Sequence, residues 1–267
     1  GGTEDIQPHI LKKGNLTIAM VHNGNIVNYL PLKSQLKENH INLKTTCDTE
    51  IILEIFASKI PEENASFESI SEGVLEVYKQ VFGSYSIVVL ITGLGMVAFR
   101  DPWGFRPLLY GKSRDLQSYV FTSESGPISF VDPNNMIDIE PGEVVFIDYK
   151  QKIHTRFLKG KKHAHCSFEF NYFAKPSAVI ENKEVYQVRS KLGIALAKHI
   201  EKSNFNIDVV VPVPATGTAS ALALGHALNI PVMEGFLKQN YTGRTFIMPT
   251  QTRSSIIKMC CLSMIAS

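Results

Sequence analysis

LTIAMVHNGNIVNYLPLKSQLKENH, residues 16–40, contains the change of period from which the fold can be read. Residues 16–22 are a short apolar run of the kind a buried strand uses, and from Asn28 onward the pattern is helical, with Pro31 tolerable because it falls in the first turn. A strand therefore feeds a helix through His22, Asn23, Gly24 and Asn25. Asn-Gly is the dipeptide a tight hairpin prefers, so the plain reading is a turn. The other reading is chemical. A side-chain amide and the next backbone N–H can both donate to a carbonyl oxygen that becomes negative during acyl transfer, and a glycine leaves its N–H unshielded. His22 beside them reads as a packed or capping residue rather than a base.

Two more helices follow. TTCDTEIILEIFASKIP has apolar residues at 51, 52, 55 and 56, with Asp48 in the N-cap position and Pro61 ending the pattern. Phe67 to Phe82 is the third. From Tyr85 to about Phe157 the character changes to short β-rich runs, SYSIVVLI, MVAF, PLLYG, SYVFTS, EVVFIDY and KIHTRFL, separated by Gly- and Pro-containing turns. Helices first and mostly antiparallel strands after them predict an α+β layered domain.

The basic stretch Lys159 to His163 marks the expected boundary, giving domains over residues 1–160 and 161–267. Beyond it, Glu184 to Lys202 reads as a helix, IDVVVPVP as a buried strand, ATGTASALALGHALN as a loop opening a helix, and IPVMEGF as another strand. That is a β-loop-α-β unit, the start of a parallel sheet. It is also unfinished, because so few elements cannot cover both faces, so residues 165–267 are expected to be the mobile part, with an apolar face exposed.

At 267 residues, 44% hydrophobic and 19% charged, the chain has the balance of a globular protein with a substantial core. Lys plus Arg number 27 against 25 Asp plus Glu, too even a balance to favour nucleic acid or a membrane surface, and no apolar run is long enough to span a bilayer. Small-molecule substrates or protein partners and a cytoplasmic setting are expected. The cysteines Cys47, Cys166, Cys260 and Cys261 include no C-x-x-C pair, so neither a disulfide framework nor a zinc site is expected. The opening Gly1-Gly2, without methionine, suggests missing upstream sequence.

Several other residues carry two readings. Asp48 is either a helix cap or a carboxylate that grips an α-ammonium group. FRDPWGFRPL, Phe99 to Leu108, is either a type I turn with two solvent-facing arginines or a turn whose Arg100 clamps a carboxylate. VVVPVPATGTAS is an ordinary βα loop, or one whose Thr216, Gly217 and Thr218 meet phosphate or a bound metal at a helix N-terminus. Lys238, Tyr241, Gly243 and Arg244 form an exposed basic loop or one that folds over a polyphosphate.

In order, HNGN, CDTE, FGSYS, RDPWGFRPL, TSES, PGEVV, CSFEFNYFAKP and NYTGRTFIMPTQ resemble the amidophosphoribosyltransferases, over about Gly2 to Gln251. The resemblance implies a glutaminase domain of the amino-terminal-nucleophile type, layered αββα and incomplete, followed by a partial α/β phosphoribosyltransferase domain. It implies that ammonia from glutamine passes to 5-phosphoribosyl 1-diphosphate, giving 5-phosphoribosylamine, glutamate and diphosphate. Asn23 and Gly24 would then be the oxyanion hole, Asp48 the holder of the glutamine amino group, and Lys238 and Arg244 substrate-binding residues. Thr216 would be a magnesium ligand and Cys166 a first iron–sulfur ligand in the full-length parent, a homo-oligomer.

The sequence also departs from the family pattern. The family's amino-terminal cysteine and the arginine-bearing motif after it do not precede the matched region, the paired acidic residues of the phosphoribosyl site do not follow it, and Ala215 stands where an acidic residue is usual. The chain alone is therefore expected to be inactive. Two classes of function remain open on these grounds: a partial amidophosphoribosyltransferase, or a catalytically dead binding or regulatory chain that retains the glutaminase surface.

Overall fold

His9–Lys13 (β1) and Leu16–Ile26 (β2) open a 6-stranded antiparallel sheet that Gly83–Ile91 (β3), Gly95–Arg100 (β4), Glu143–Asp148 (β8) and Ile153–Phe157 (β9) complete, in the order β1-β2-β3-β4-β8-β9. Leu109–Ser113 (β5), Tyr119–Thr122 (β6) and Val131–Asp138 (β7) form a 3-stranded sheet, β6-β5-β7. The structure, a computed structural model, describes residues 3–114, 117–125, 131–158, 160, 163–203 and 205–237. The chain divides into two units, Gly1–Glu169 and Phe170–Ser267.

Both faces of the larger sheet are covered. Ile18, Met20, Ile87, Val89, Val97, Phe99, Val144 and Phe146 turn to one face and pack with helices Tyr29–Glu38 (α1), Asp48–Ala57 (α2) and Phe67–Gln80 (α3). Ala98, Val145 and Ile147, one residue out of step, turn to the other face and pack with Leu108, Tyr110 and Ile139 beside the smaller sheet. Side chains alternate across a strand, so a strand buried on both faces must be apolar at nearly every position. The layers run helix, sheet, sheet, as the α+β reading expects.

Local chemistry sets the ends of the elements. Ser66 and Ser69 form a reciprocal capping box at the start of α3. Lys13 donates from Nζ to the carbonyls of Ala57 (2.8 Å) and Ile60 (2.7 Å), closing the C-terminus of α2. The six β-rich runs all become strands, and in the first unit two unforeseen ones, β1 and β7, appear as well. In β7, which contains Pro133, the register shifts between its contacts with Gly111 and Ser113. Proline cannot donate to a ladder, and an edge strand with a bulge tolerates it.

In the second unit Val179–Ile180 (β10) and Lys183–Glu184 (β11) pair, and helices Val185–Glu201 (α4) and Thr218–Leu228 (α5) pack closely. A Cβ at Gly193 of α4 would meet the Ser220 carbonyl oxygen at 2.1 Å, so only glycine lets the helices approach this far. Buried Arg189 donates to the carbonyls of Phe170 (2.7 Å) and Ala174 (2.8 Å). The expected parallel strands are corrected here. Among the described residues they meet in a single bridge, Val210 to Val232, and Val213 is 67% exposed rather than buried. With no further strand beside them among the described residues, the two segments have little there to pair with.

Candidate active site

The turn reading of Asn23-Gly24 is overturned: both residues lie within β2, opposite Ser86 and Tyr85 of β3. Antiparallel strands alternate the edge to which each residue turns its N–H and C=O. Odd residues here face β3, and Val27, just beyond the strand, donates to the Phe82 carbonyl at 2.8 Å. Even residues face the opposite edge. Met20 pairs there with His9, His22 N donates to Gln7 Oε1 (2.6 Å), and Ile26 N donates to Asp48 Oδ2 (3.3 Å). Gly24 falls between the last two, past the end of β1, and its N–H points off this edge with no acceptor assigned among the described residues.

Gly24 admits no side chain, because a Cβ would stand 2.0 Å from the Ser84 carbonyl oxygen. Asn23, exposed, donates from Nδ2 to Ser123 Oγ at 3.3 Å. It lines a cavity of about 260 Å³ with His22, Ser86, Phe121, Thr122 and Ser123. Two donors on adjacent residues of a rigid strand, one beside a cavity and one on an open edge, can receive developing negative charge.

Asp48 is the first residue of α2, and Cys47 takes the N-cap position without a side-chain cap bond, which corrects the capping assignment by one residue. The Asp48 carboxylate is used elsewhere. Oδ1 lies 3.3 Å from Nδ1 of His22, whose side chain is only 2% exposed, and Oδ2 takes the Ile26 N–H. Burial by itself would push the Asp48 carboxyl up, but the His22 imidazole and the Ile26 N–H outweigh it and hold the carboxyl below its ordinary value. Glu50 accepts from Lys44 N and Thr45 N, and Asp5 accepts from Thr46 N, so the loop leading to Asp48 is tied from both sides.

The arginines of RDPWGFRPL do not face solvent. Arg100 is 1% exposed and donates to the backbone carbonyls of Arg106 (2.7 Å), Ile139 (2.9 Å) and Gly104 (2.7 Å). Arg106 pairs with Glu169 at 2.5 Å. The Asp101 carboxyl, pushed up by burial, accepts from the N–H groups of Trp103, Tyr85 and Phe105. This segment is structural, and the carboxylate-clamp reading of Arg100 falls.

In the second unit Thr216 lines a cavity of about 370 Å³ with Lys175, Arg189, Pro214 and Ala215, at the N-terminal end of α5. Lys238 and Arg244 lie outside the described residues, as do Tyr241, Gly243, Cys260 and Cys261. Cys166 is half-exposed, and no group of three or more ligating side chains among the described residues includes it. Sequence reasoning missed Gln7 altogether and did not connect His22 with Asp48. Both contacts join residues far apart in the chain and leave no periodic signal.

A family model described as a glutamine amidotransferase domain matches residues 2–129. The amidophosphoribosyltransferase of Pyrococcus horikoshii is 34% identical over 250 residues, covering 94% of this chain and 53% of that protein. The amidophosphoribosyltransferase of Escherichia coli is 38% identical over 247 residues, covering 88% of this chain and 48% of that one. The chain thus spans about half the length of the curated relatives it matches. Among solved structures, the glutamine phosphoribosylpyrophosphate amidotransferase of B. subtilis, complexed with ADP and GMP, has a TM-score of 0.77 at 29% identity, covering 98% of this chain and 55% of that one. No helix among the described residues is long and apolar enough to cross a membrane. Over the residues that it spans, the chain is similar to the amidophosphoribosyltransferases, residues 2–129 match a glutamine amidotransferase domain, and the first unit has the amino-terminal-nucleophile glutaminase fold of those relatives.

Proposed function

We propose that these residues serve the glutamine-dependent transfer of an amino group to 5-phosphoribosyl 1-diphosphate, giving 5-phosphoribosylamine, glutamate and diphosphate, the opening step of purine synthesis. The observation that carries this reading is the Gly24 N–H on the edge of β2, without an acceptor among the described residues, beside the Asn23 amide. In this reading the two donors receive the oxygen of the glutamine side-chain amide as it becomes negative, and Asp48, ionised and held by His22, receives the α-ammonium group. Attack on the amide carbon belongs, by family resemblance, to an amino-terminal cysteine. Cys47, whose Sγ lies 3.3 Å from Thr49 Oγ1, is assigned no such role.

The second unit would take the phosphoribosyl substrate, in the cavity where Lys175 and the α5 N-terminus suit an anion. Magnesium prefers several oxygen ligands, and this cavity's described lining offers the hydroxyls of Thr216 and Tyr172 and no carboxylate, so these residues by themselves do not fit the ion. Nor do the described residues fit an iron–sulfur cluster, which needs more thiolates than Cys166 supplies. Lys238 and Arg244 are retained as substrate-binding residues, and homo-oligomerisation and a cytoplasmic location are part of the same reading.

The test is Asn23→Ala in the intact protein. Removing one such donor costs about 10²- to 10³-fold in turnover, so glutamine-dependent synthesis should fall by about that much while synthesis from free ammonia persists. An equal loss of both would remove the assignment.

A further inference from the structure

We infer that Gln7 is a positioning residue for the amide-hydrolysing step, an inference that rests on the glutaminase reading of Asn23 and Gly24. Its carboxamide makes two hydrogen bonds to the backbone of one residue: His22 N donates to Oε1 at 2.6 Å, and Nε2 donates to His22 O at 3.1 Å. Those are the two bonds a neighbouring strand would make. The ladder between β1 and β2 ends at the pair His9–Met20, and position 7, opposite His22, is the next that would exchange hydrogen bonds with β2.

A backbone that continued pairing beyond His9 would satisfy His22, but its next ladder step would reach Gly24 and consume the N–H on which the proposed oxyanion contact depends. A side chain that imitates one ladder step satisfies His22 and stops there. From the other direction Asp48 Oδ2 takes the Ile26 N–H, so among the described residues the strand edge is closed on both sides of Gly24 and open at Gly24. Half-buried Gln7 thereby both anchors the peptide preceding Asn23 and ends the sheet one step short of the reacting position. It touches no substrate in this scheme and acts through the direction of the Gly24 N–H.

The experiment compares Gln7→Met and Gln7→Glu in the intact protein, with Asn23→Ala beside them. Methionine keeps the length of the side chain and removes both hydrogen bonds, while glutamate keeps an acceptor for the His22 N–H. A small misplacement of a catalytic group can cost about 10²-fold. Gln7→Met should therefore lower kcat with glutamine by about that factor, leave KM for glutamine and turnover with free ammonia unchanged, and lose more than Gln7→Glu. Unchanged kcat with glutamine in Gln7→Met overturns the inference, as does an equal loss of glutamine- and ammonia-dependent turnover. If Gln7→Met does not fold, a Gln7→Glu variant with unimpaired kcat overturns it, and one with reduced kcat and intact ammonia turnover supports it. Should Asn23→Ala itself fail to separate the two nitrogen sources, the glutaminase reading fails. If Asn23→Ala separates them and the Gln7 variants do not, only the role of Gln7 is lost.

Discussion

A methyl group at position 24 would collide with the Ser84 carbonyl at 2.0 Å, and both partners are backbone atoms in paired strands. Neither can rotate away. Gly24→Ala should therefore destabilise the fold by about 1–3 kcal/mol, the usual range for overpacking, read by chemical denaturation, and should lower glutamine-dependent turnover more than ammonia-dependent turnover. Asp48 was recognisable in the sequence as a polar residue at a helix start, but its partner was not, since His22 lies 26 residues earlier. Asp48→Asn should raise KM for glutamine and leave ammonia-dependent turnover intact. The folded pKa of Asp48 lies below its ordinary value of 3.8. Its contribution to stability is accordingly present above that value and lost as the pH falls through the lower folded value. KM for glutamine should stay flat from neutral pH down towards that range, and a rise centred near pH 6 would show that another group controls binding.

Strands and turns were legible where the pattern was local. The runs at 84–91, 96–99 and 143–149 alternate between two buried faces, so they read as continuous apolar segments and became β3, β4 and β8. β7 was not legible, because Pro133, Asn134 and Asn135 argue against a strand and only the edge position of β7 in its sheet admits them. The RDPWGFRPL turn was recognised, but the arginine at its head points inward, where three backbone carbonyls accept from it. Lysine cannot reproduce that fork. Arg100→Lys should cost about 3 kcal/mol or more, as breaking a buried charged network does, with an unchanged ratio of glutamine- to ammonia-dependent turnover in the folded protein.

Across the molecule, the first unit has a large continuous core between helices and sheet, whereas the second has smaller clusters around Phe170 and around Val210 and Leu224. Among the described residues of the second unit, Val209, Val211, Val213 and Leu237 are all at least 38% exposed. A polypeptide of residues 1–267 should bind the dye ANS, and Val209→Thr with Val211→Thr, which keeps the β-branched shape, should reduce the fluorescence. Equal fluorescence from the two proteins would place the dye elsewhere.

Composition, the spacing of apolar residues and the order of short motifs were enough to specify the helices, most of the strands, the layered first unit, and Asn23, Gly24 and Asp48 as residues worth testing. Those features depend on neighbours a few positions away, and such neighbours are written side by side in the chain. That Asn23 and Gly24 lie in a strand, that Gln7 ends the sheet beside them, that His22 holds Asp48, and that the second unit's strands shrink to one bridge emerged only on folding. Each depends on where a ladder stops or on which distant group reaches a free N–H, and the free energy of such a contact is set by the packed neighbours rather than by the residues adjacent in sequence.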